Sequence, residues 1–482
     1  MPPFPLKRSM LHKAGSFGNR ILAVKRVRRM ACALALALTF GLCGVLLAPA
    51  PEAFADVRKS DRLVGTTVES RGITSALCPN VEANYAILVD GNGKVYFERD
   101  PDERVQIASI TKVMTAIVAM DGFPLDTPIV VNGEAAAVGE SSAGLQKGDT
   151  MTLEAALNGL LVSSGNDAAI AISNTLGASL KTQEGQSNTA AFVAAMNAKA
   201  QELGMTNSLF ANAHGLDYDT YAAEMYSSAR DVATMCSYAM KNELFRNIVS
   251  QDAAVIEVTR LDGEVAEVEL ESTDMLIGVY EGACGIKTGF TKLAGSCFAG
   301  ACEREGEYLY AILLDSSSNE QRFWDAEALY DWVYDNRVVY HFARSSETAV
   351  LMDGDFGTEV PVVAEVQHAE WKDRRVKATL SDPGASTEVF TLEGNVSQNV
   401  VFNELKGDIA VGDVVGTVTF YQRNEPLATF DLISLEAMKG PTGLDSFKMW
   451  WQSIWGDEVP TLESVVINET PLIYSKDVTA AA

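Results

Sequence analysis

The sequence predicts an α+β fold, with an antiparallel sheet flanked by helices and followed by a small all-β domain. Three features predict it. Two apolar runs surround the turn-forming residues 90–93, as in a β-hairpin. Helical patterns then occupy much of 107–245, and strand patterns return at 282–315. Strands, then helices, then strands are typical of an antiparallel sheet packed against helices.

Each element follows from its local pattern of apolar residues. The first hairpin joins 85–89 to 94–97. The predicted helices are 107–120, 152–177 with a break at 163–166, 189–204 and 227–245. The strands that follow are 282–289, 296–302 and 308–314, and a last helix covers 320–334.

A change in composition near residue 345 predicts the second domain. Between 349 and 435 only short β-like runs occur, and Gly, Pro and Asp separate them. The predicted divisions are a signal peptide at 1–55, a lead-in at 56–82, a main α+β domain at 83–343, an all-β domain at 344–437 and a tail at 438–482.

The N-terminal segment predicts export. Its first 51 residues include eight Lys or Arg and no Asp or Glu. They contain an uncharged, Ala- and Leu-rich stretch at 30–48, and Ala53 and Ala55 then place small residues at a cleavage site. This pattern indicates a secretory signal peptide cleaved after Ala55. The alternative is an uncleaved signal anchor, because the apolar stretch is nearly long enough to span a bilayer.

The tail contains one amphipathic helix, predicted at 444–455. Its apolar face consists of Leu444, Phe447, Trp451, Ile454 and Trp455. A Trp-rich helical face suits a membrane interface. The same face would equally suit docking on the all-β domain, so the sequence does not decide between the membrane surface and the all-β domain.

Charge and cysteine usage exclude some classes of partner. The formal net charge of the 482 residues is −26, and loss of the basic signal peptide makes it more negative. Nucleic acid is therefore not an expected partner, since phosphate binding needs a basic surface.

The cysteines after the signal peptide are Cys78, Cys236, Cys284, Cys297 and Cys302. Their spacing is not that of a metal site, and neither a metal nor an organic cofactor is predicted. We expect these cysteines to be buried as small apolar residues, and the sequence leaves one disulfide open.

The predicted helix 107–120 is apolar nearly all round, yet it contains Ser109 and Lys112. Residues three apart share a helical face, so the hydroxyl and the amine can meet. Burial lowers the pKa of a lysine, and a neutral amine beside a serine hydroxyl is a general base beside a nucleophile. The alternative is a lysine whose long side chain reaches solvent.

Two further motifs are weaker alone. Ser164-Gly165-Asn166 lies in a break between helices, where a hydroxyl can relay a proton and an amide can orient a substrate peptide group. The alternative is that Ser164 or Asn166 caps a helix.

Lys287-Thr288-Gly289 ends a predicted strand, where an amine and a hydroxyl can hold a carboxylate and glycine allows close approach to the backbone. The alternative is a strand that ends in a turn.

In this order, the three motifs are those of penicillin-binding proteins and class A β-lactamases. The flanking sequence resembles the low-molecular-mass D-alanyl-D-alanine carboxypeptidases, serine enzymes with a β-lactamase/transpeptidase-like fold. The segments that carry the resemblance are 87–116, 135–173, 212–231 and 285–301. Residues 409–420 look like the β-rich domain attached to these enzymes, and the tail helix is similar to their membrane-surface anchor.

The resemblance implies acyl transfer on peptidoglycan stem peptides. Ser109 would attack the carbonyl between the two terminal D-alanines, Lys112 would accept its proton, and Ser164 would relay a proton to the leaving D-alanine. β-Lactam antibiotics would acylate Ser109 as covalent inhibitors. Water would then hydrolyse the acyl-enzyme.

The resemblance also implies a substrate-binding set of Asn166, Lys287, Thr288, Gly289, Phe290 and Arg322. The backbone N–H groups of Ser109 and Phe290 would form the oxyanion hole. Arg322 would bind the substrate carboxylate, unless it is a surface arginine at a helix start. Some members have an arginine before the Lys-Thr-Gly strand, and 271–276 has none.

Three other functions are left open. A DD-endopeptidase would use the same residues. A β-lactamase would need a deacylating glutamate that the sequence does not reveal. A non-catalytic penicillin-binding sensor would be acylated without releasing D-alanine. His214 is interpreted as structural.

Overall fold

A central antiparallel sheet organises the fold. Its strands, numbered along the chain like all elements below, are β1 (Arg62–Leu63), β2 (Thr66–Thr67), β3 (Tyr85–Asp90), β4 (Val95–Arg99), β9 (Ala283–Thr291), β10 (Gly295–Arg304) and β11 (Glu307–Ser316). They lie in the order β2-β1-β4-β3-β11-β10-β9. Most side chains of β9, β10 and β11 are buried, because both faces of the sheet are covered. β9 forms one edge.

The computed structural model describes residues 57–353, 356–371, 373–456 and 461–475. The predicted signal peptide at 1–55 lies outside them. The helices of the described chain are α1 (Val68–Arg71), α2 (Thr111–Gly122), α3 (Leu153–Leu161), α4 (Asn166–Gly177), α5 (Asn188–Glu202), α6 (Ala229–Ala239), α7 (Glu243–Val249), α8 (Gln321–Asp335) and α9 (Gly443–Trp455).

Two apolar cores hold the sheet between its helices. One core packs α2 to α7 against one face, and the other packs α8 and the N-terminal lead-in against the opposite face. Helix α2 is buried on every side from Thr111 to Ala119, as its apolar sequence predicts. The predicted α+β arrangement is therefore confirmed.

Two predicted helices differ from the observed ones in detail. The helix predicted at 227–245 is divided into α6 and α7, because Asn242 accepts a hydrogen bond from the Phe245 N–H and caps a new helix. Helix α2 begins two residues after Ser109, which lies in a 3₁₀ turn, Ala108–Ile110. The nucleophile candidate thus precedes the α-helix.

A second sheet beside the helices was not predicted. It consists of β5 (Pro128–Val130), β6 (Thr150–Thr152), β7 (Ala253–Thr259) and β8 (Val265–Glu271), in that order. In β8, apolar residues alternate with glutamates, which is the pattern of a half-exposed strand.

The C-terminal region is built from short antiparallel strands, as predicted. They are β12 (Arg337–His341), β13 (Thr348–Asp353), β14 (Phe356–Pro361), β15 (Ala364–Gln367), β16 (Arg375–Leu380), β17 (Ser386–Phe390), β18 (Val396–Phe402), β19 (Val414–Gln422), β20 (Glu425–Ser434) and β21 (Val465–Val466). Six of them form a sheet in the order β18-β19-β20-β16-β15-β21. Hydrogen bonds from Arg71 to the Leu392 carbonyl and from Arg423 to the Val64 carbonyl join this region to the N-terminal lead-in. The boundary at 344 stays a prediction.

Helix α9 matches the amphipathic helix predicted in the tail. A capping box between Thr442 and Asp445 begins it. Its exposed apolar side chains, between 49% and 76% accessible, are Leu444, Phe447, Trp450, Trp451 and Ile454. This face is thus not docked on the all-β domain, and that alternative is wrong. After α9 the chain returns, and β21 pairs with β15. Within the described residues, no helix has the length and apolar character to cross a bilayer.

The five cysteines among the described residues are free thiols. Cys284 is partly exposed and the other four are buried. The disulfide that the sequence left open is therefore not formed between any two of the cysteines that the structure describes.

Candidate active site

The predicted site residues meet at one cleft of about 690 Å³, between the β9 edge, the 3₁₀ turn and the start of α4. Those that line it are Ser109, Ser164, Asn166, Thr288, Gly289, Phe290 and Arg322. Lys112 and Lys287 are fully buried beside them. The cleft therefore contains hydroxyl, amide, amine and guanidinium groups within one small volume.

Lys112 is the centre of the site. Its Nζ lies 2.7 Å from Ser109 Oγ, 2.7 Å from Asn166 Oδ1 and 3.0 Å from the His214 carbonyl oxygen. Burial lowers the pKa of Lys112 well below its ordinary value, and the nearby Lys287 charge lowers it further. The alternative of a solvent-reaching lysine is wrong.

These contacts fix where the lone pair of a neutral Lys112 amine points. A neutral amine has two N–H groups and one lone pair. The amide oxygen of Asn166 and the carbonyl of His214 can only accept, so they take the two N–H groups. The lone pair is then directed at the Ser109 hydroxyl, which is the arrangement of a base and its nucleophile.

The Ser164 motif does not cap a helix. The N-cap of α4 is Gly165, and no side chain caps that helix. Ser164 is buried, with a left-handed backbone at φ 60°. Asn166 bridges Lys112 and the neighbouring loop, since its Nδ2 donates to the Gly139 carbonyl at 3.2 Å. The capping interpretation is therefore wrong.

The Lys-Thr-Gly motif lies within β9, which continues to Thr291. The Lys287 ammonium donates to the Thr288 carbonyl at 3.1 Å, rather than to Ser164. Burial lowers the pKa of Lys287 to about 7, with a further contribution from the Arg322 charge. The Thr288 hydroxyl lies 2.6 Å from that of Thr273.

Gly289 is required by the protein's own backbone. A Cβ at this position would lie 2.8 Å from the Ile107 carbonyl oxygen and 3.1 Å from the Ser109 nitrogen. The absence of a side chain thus permits the close approach of β9 to the 3₁₀ turn of Ser109, and approach of substrate to Gly289 stays a prediction. Phe290, the next residue, is 58% exposed at the cleft.

Arg322 is buried and points into the site. Its Nη1 donates to the carbonyl oxygens of Gly289 and Cys297, at 2.9 and 3.2 Å. The interpretation of Arg322 as a surface arginine is wrong, because α8 begins directly beneath the sheet rather than at the surface.

Asp274 is a residue of the site that was not predicted from the sequence; it lies in 271–276, the stretch that lacks the arginine of some family members. One Asp274 carboxylate oxygen accepts the Leu276 N–H at 2.9 Å. The other is buried without a hydrogen-bond partner in the described chain. Burial raises the pKa of Asp274 to about 6, although the charges of Lys287 and Arg322 oppose this. No local signal marks this residue, because its neighbours come from β9 and α8.

His214 is structural, as interpreted from the sequence. Its Nδ1 accepts the Leu216 N–H at 3.1 Å, and burial lowers its pKa to about 3, so the ring is neutral. Its contribution to the site is the backbone carbonyl that accepts from Lys112.

A serine hydroxyl, a buried lysine amine and a strand-borne Lys-Thr are the groups that acyl-transferring serine enzymes use. Residues 73–318 match the family model described as D-alanyl-D-alanine carboxypeptidase. The chain belongs to this family. It is a hydrolase of the carboxypeptidase class that functions in the cell wall, with peptidoglycan peptides as substrates and β-lactams as ligands.

Several relatives carry the same description. The D-alanyl-D-alanine carboxypeptidase DacF of Bacillus subtilis is 26% identical over 370 residues, covering 74% of this chain and 86% of the relative. DacB2 of Mycobacterium tuberculosis, also a D-alanyl-D-alanine carboxypeptidase, is 32% identical over 53% of this chain and 83% of its own. The crystal structure of the D-alanyl-D-alanine carboxypeptidase DacD from Francisella tularensis is 21% identical, with a TM-score of 0.49, over 74% of this chain and 94% of its own.

Asp274→Asn is expected to move the alkaline limb of the pH profile to lower pH. The charge of Lys287 is lost as pH rises through its pKa of about 7, so kcat/KM for a carboxylate-ended peptide should fall there. The Asp274 carboxylate raises the pKa of Lys287, and a neutral Asn removes that contribution. The measurement is kcat/KM from about pH 5 to about pH 9. The exposed control Asp262→Asn should keep the wild-type limb; an unmoved limb in Asp274→Asn would contradict the coupling.

Proposed function

We propose that this protein removes the terminal D-alanine from peptidoglycan stem pentapeptides through an acyl-enzyme on Ser109. The observation that carries the proposal is the 2.7 Å contact between Ser109 Oγ and the fully buried Lys112 Nζ. Among the described residues, Ser109 is the cleft-lining hydroxyl with a hydrogen bond to a lysine amine.

Acylation begins with attack of Ser109 Oγ on the carbonyl carbon between the two D-alanines. Lys112 takes the hydroxyl proton as the new C–O bond forms. The backbone N–H groups of Ser109 and Phe290 stabilise the oxyanion, a contribution of several kcal/mol (about 3) for each donor. The C–N bond then breaks, and the proton held by Lys112 passes through the Ser164 hydroxyl to the departing amine, which leaves Lys112 neutral again.

Asn166 and the β9 edge orient the substrate. The Asn166 Nδ2 has two hydrogens and gives one to the Gly139 carbonyl, so the second can meet a substrate carbonyl. Thr288, Arg322 and the Lys287 charge bind the terminal carboxylate. Water, activated by the same Lys112, finally hydrolyses the ester.

The direct test is release of D-alanine from Nα,Nε-diacetyl-L-Lys-D-Ala-D-Ala by the purified protein. Release at a turnover well above one per enzyme supports the proposal. Stoichiometric labelling by a fluorescent penicillin without release would instead indicate a sensor. Cleavage of a cross-linked muropeptide into monomers, without release of D-alanine from the tripeptide, would indicate an endopeptidase.

We also propose that the protein is exported by its N-terminal signal peptide and touches the membrane surface through α9. The support for contact is the exposed cluster of Phe447, Trp450 and Trp451, whose ring centroids lie 5.7 to 6.5 Å apart. Aromatic side chains with a polar edge favour the bilayer interface. Since α9 has one Lys and one Asp, the contact is expected to depend little on anionic lipid.

The triple variant Phe447→Ser/Trp451→Ser/Ile454→Ser is expected to abolish vesicle binding, because it removes apolar area from the exposed face of α9. The measurement is cosedimentation with phosphatidylcholine vesicles. The matched control is Leu261→Ser, which changes an exposed leucine (80% accessible) on another part of the surface. Equal sedimentation of the triple variant and the wild type would contradict membrane contact through α9.

A further inference from the structure

The cleft has opposite charges at its two ends. Arg322 and Thr288 mark the end that binds the substrate carboxylate in the proposed function. The other end has three carboxylates, those of Glu140, Asp217 and Asp219. We call these three residues the acidic end. The described residues that line this end of the cleft include one ammonium group, that of the exposed Lys292. Three carboxylates and one ammonium give this end a negative net charge.

Two separate loops build the acidic end. The loop of Glu140 lies against α4, because the Asn166 N–H donates to the Ser141 carbonyl at 2.9 Å. The Tyr218 hydroxyl donates to Glu140 Oε1 at 2.9 Å and joins that loop to the loop of Asp217 and Asp219. These hydrogen bonds hold the carboxylates together at one side of the cleft.

Asp217 gives this end an acceptor without a donor. It is 6% exposed and lines the cleft. Its Oδ2 accepts the Thr291 hydroxyl at 2.6 Å, while Oδ1 is buried with no hydrogen-bond partner in the described chain. Buried carboxylate oxygens in proteins nearly always have a donor, so Asp217 Oδ1 is an acceptor beside the cleft that a hydrogen-bond donor from a ligand can satisfy.

The direction of the substrate places its upstream part here. If the terminal carboxylate lies at Thr288 and the scissile carbonyl at the Phe290 N–H, an extended peptide along the β9 edge continues toward Thr291. Thr291 is hydrogen-bonded to Asp217. The residue before D-Ala-D-Ala therefore lies beside the acidic end.

We infer that the acidic end binds a primary amine on the side chain of the residue that precedes D-Ala-D-Ala, and that the enzyme prefers stem peptides in which this amine is free. The inference rests on the proposed function, since that function sets the direction of the peptide. An ammonium offers three N–H donors, which suit Asp217 Oδ1 and the carboxylates of Glu140 and Asp219.

The test compares Nα-acetyl-L-Lys-D-Ala-D-Ala, which has a free ε-amine, with its Nα,Nε-diacetyl form. Wild-type kcat/KM is expected to be about tenfold higher for the free amine, the effect of one charge-assisted hydrogen bond. The double variant Glu140→Gln/Asp219→Asn should bring this ratio close to one. The amide oxygen introduced by Glu140→Gln can still accept from Tyr218, so the loops stay joined and mainly charge is lost.

The exposed control Glu267→Gln, on β8, should keep the wild-type ratio. Equal kcat/KM for the two peptides in the wild type would overturn the inference, as would an undiminished ratio in the double variant. Failure of the wild type to turn over either peptide is a separate result, which would contradict the proposed function.

Discussion

Ser109→Ala is expected to reduce D-alanine release by about 10⁴-fold or more, because the variant has no group at this position that can form the ester. Covalent labelling by fluorescent penicillin should disappear together with release. The loss is chemical rather than structural, since the hydroxyl's hydrogen bond is with Lys112 and alanine fits the same turn. Substrate binding by the cleft should persist, so non-covalent retention of the peptide separates the two effects.

The control for this experiment is Ser250→Ala, which removes an exposed hydroxyl whose hydrogen bond is to the local Asn247 carbonyl. It should release D-alanine at the wild-type rate. Persistent penicillin labelling of Ser109→Ala would show that another residue is the nucleophile. In that case peptide mapping of the labelled protein would locate it.

Lys112→Arg is expected to lower both acylation and deacylation by about 10³-fold, the usual effect of losing a general base. Guanidinium remains protonated at every accessible pH and has no lone pair to accept the Ser109 proton. The measurement is the rate of penicillin acylation together with D-alanine release, each followed as a function of pH. Raising the pH should not restore either rate.

Arginine is also larger than the fully buried lysine that it replaces, so a second variant is needed. Lys112→Met removes the amine at similar volume, and it should lose the same activity while thermal unfolding stays cooperative. The exposed Lys241→Arg serves as the matched control and should keep full activity. A Lys112→Met protein that still turned over at more than about a tenth of the wild-type rate would contradict the assignment of the base.

The pairing of Ser109 with Lys112 could be predicted because the spacing is local. Residues three apart share a face in an α-helix, and they coincide even more closely in the 3₁₀ turn that the structure contains. That Lys287 and Ser164 lie nearby could not be read from local patterns. Their expected proximity came from family resemblance, since nothing within β9 says which helix its edge will face.

The surroundings of other site residues could not be predicted from local patterns for the same physical reason. Arg322 looks like a surface residue at a helix start, and only the packing of α8 beneath the sheet buries it. Asp274 and Asp217 become significant through partners that are distant along the chain. In the fold, β5 and β6 have three residues each, which are too few for a periodic pattern to indicate a strand. The alternation of apolar residues and glutamates in β8, by contrast, is long enough to indicate a strand, although this strand was not predicted.

The buried lysines have a consequence for the folding equilibrium itself. In an unfolded chain both amines carry a proton at pH 8, whereas the native state holds Lys112 well below its ordinary pKa of 10.5 and Lys287 at about 7. Folding therefore releases protons above pH 7, and mass action then favours the native state as protons become scarcer. Each amine adds up to about 1.4 kcal/mol to the free energy of unfolding per pH unit in this range. The gain ends when the thiols that are buried in the native state, whose ordinary pKa is 9.0, begin to ionise in the unfolded chain. Mild alkalinity should thus protect the fold while it discharges Lys287, so the pH of greatest stability should lie above the pH of greatest activity.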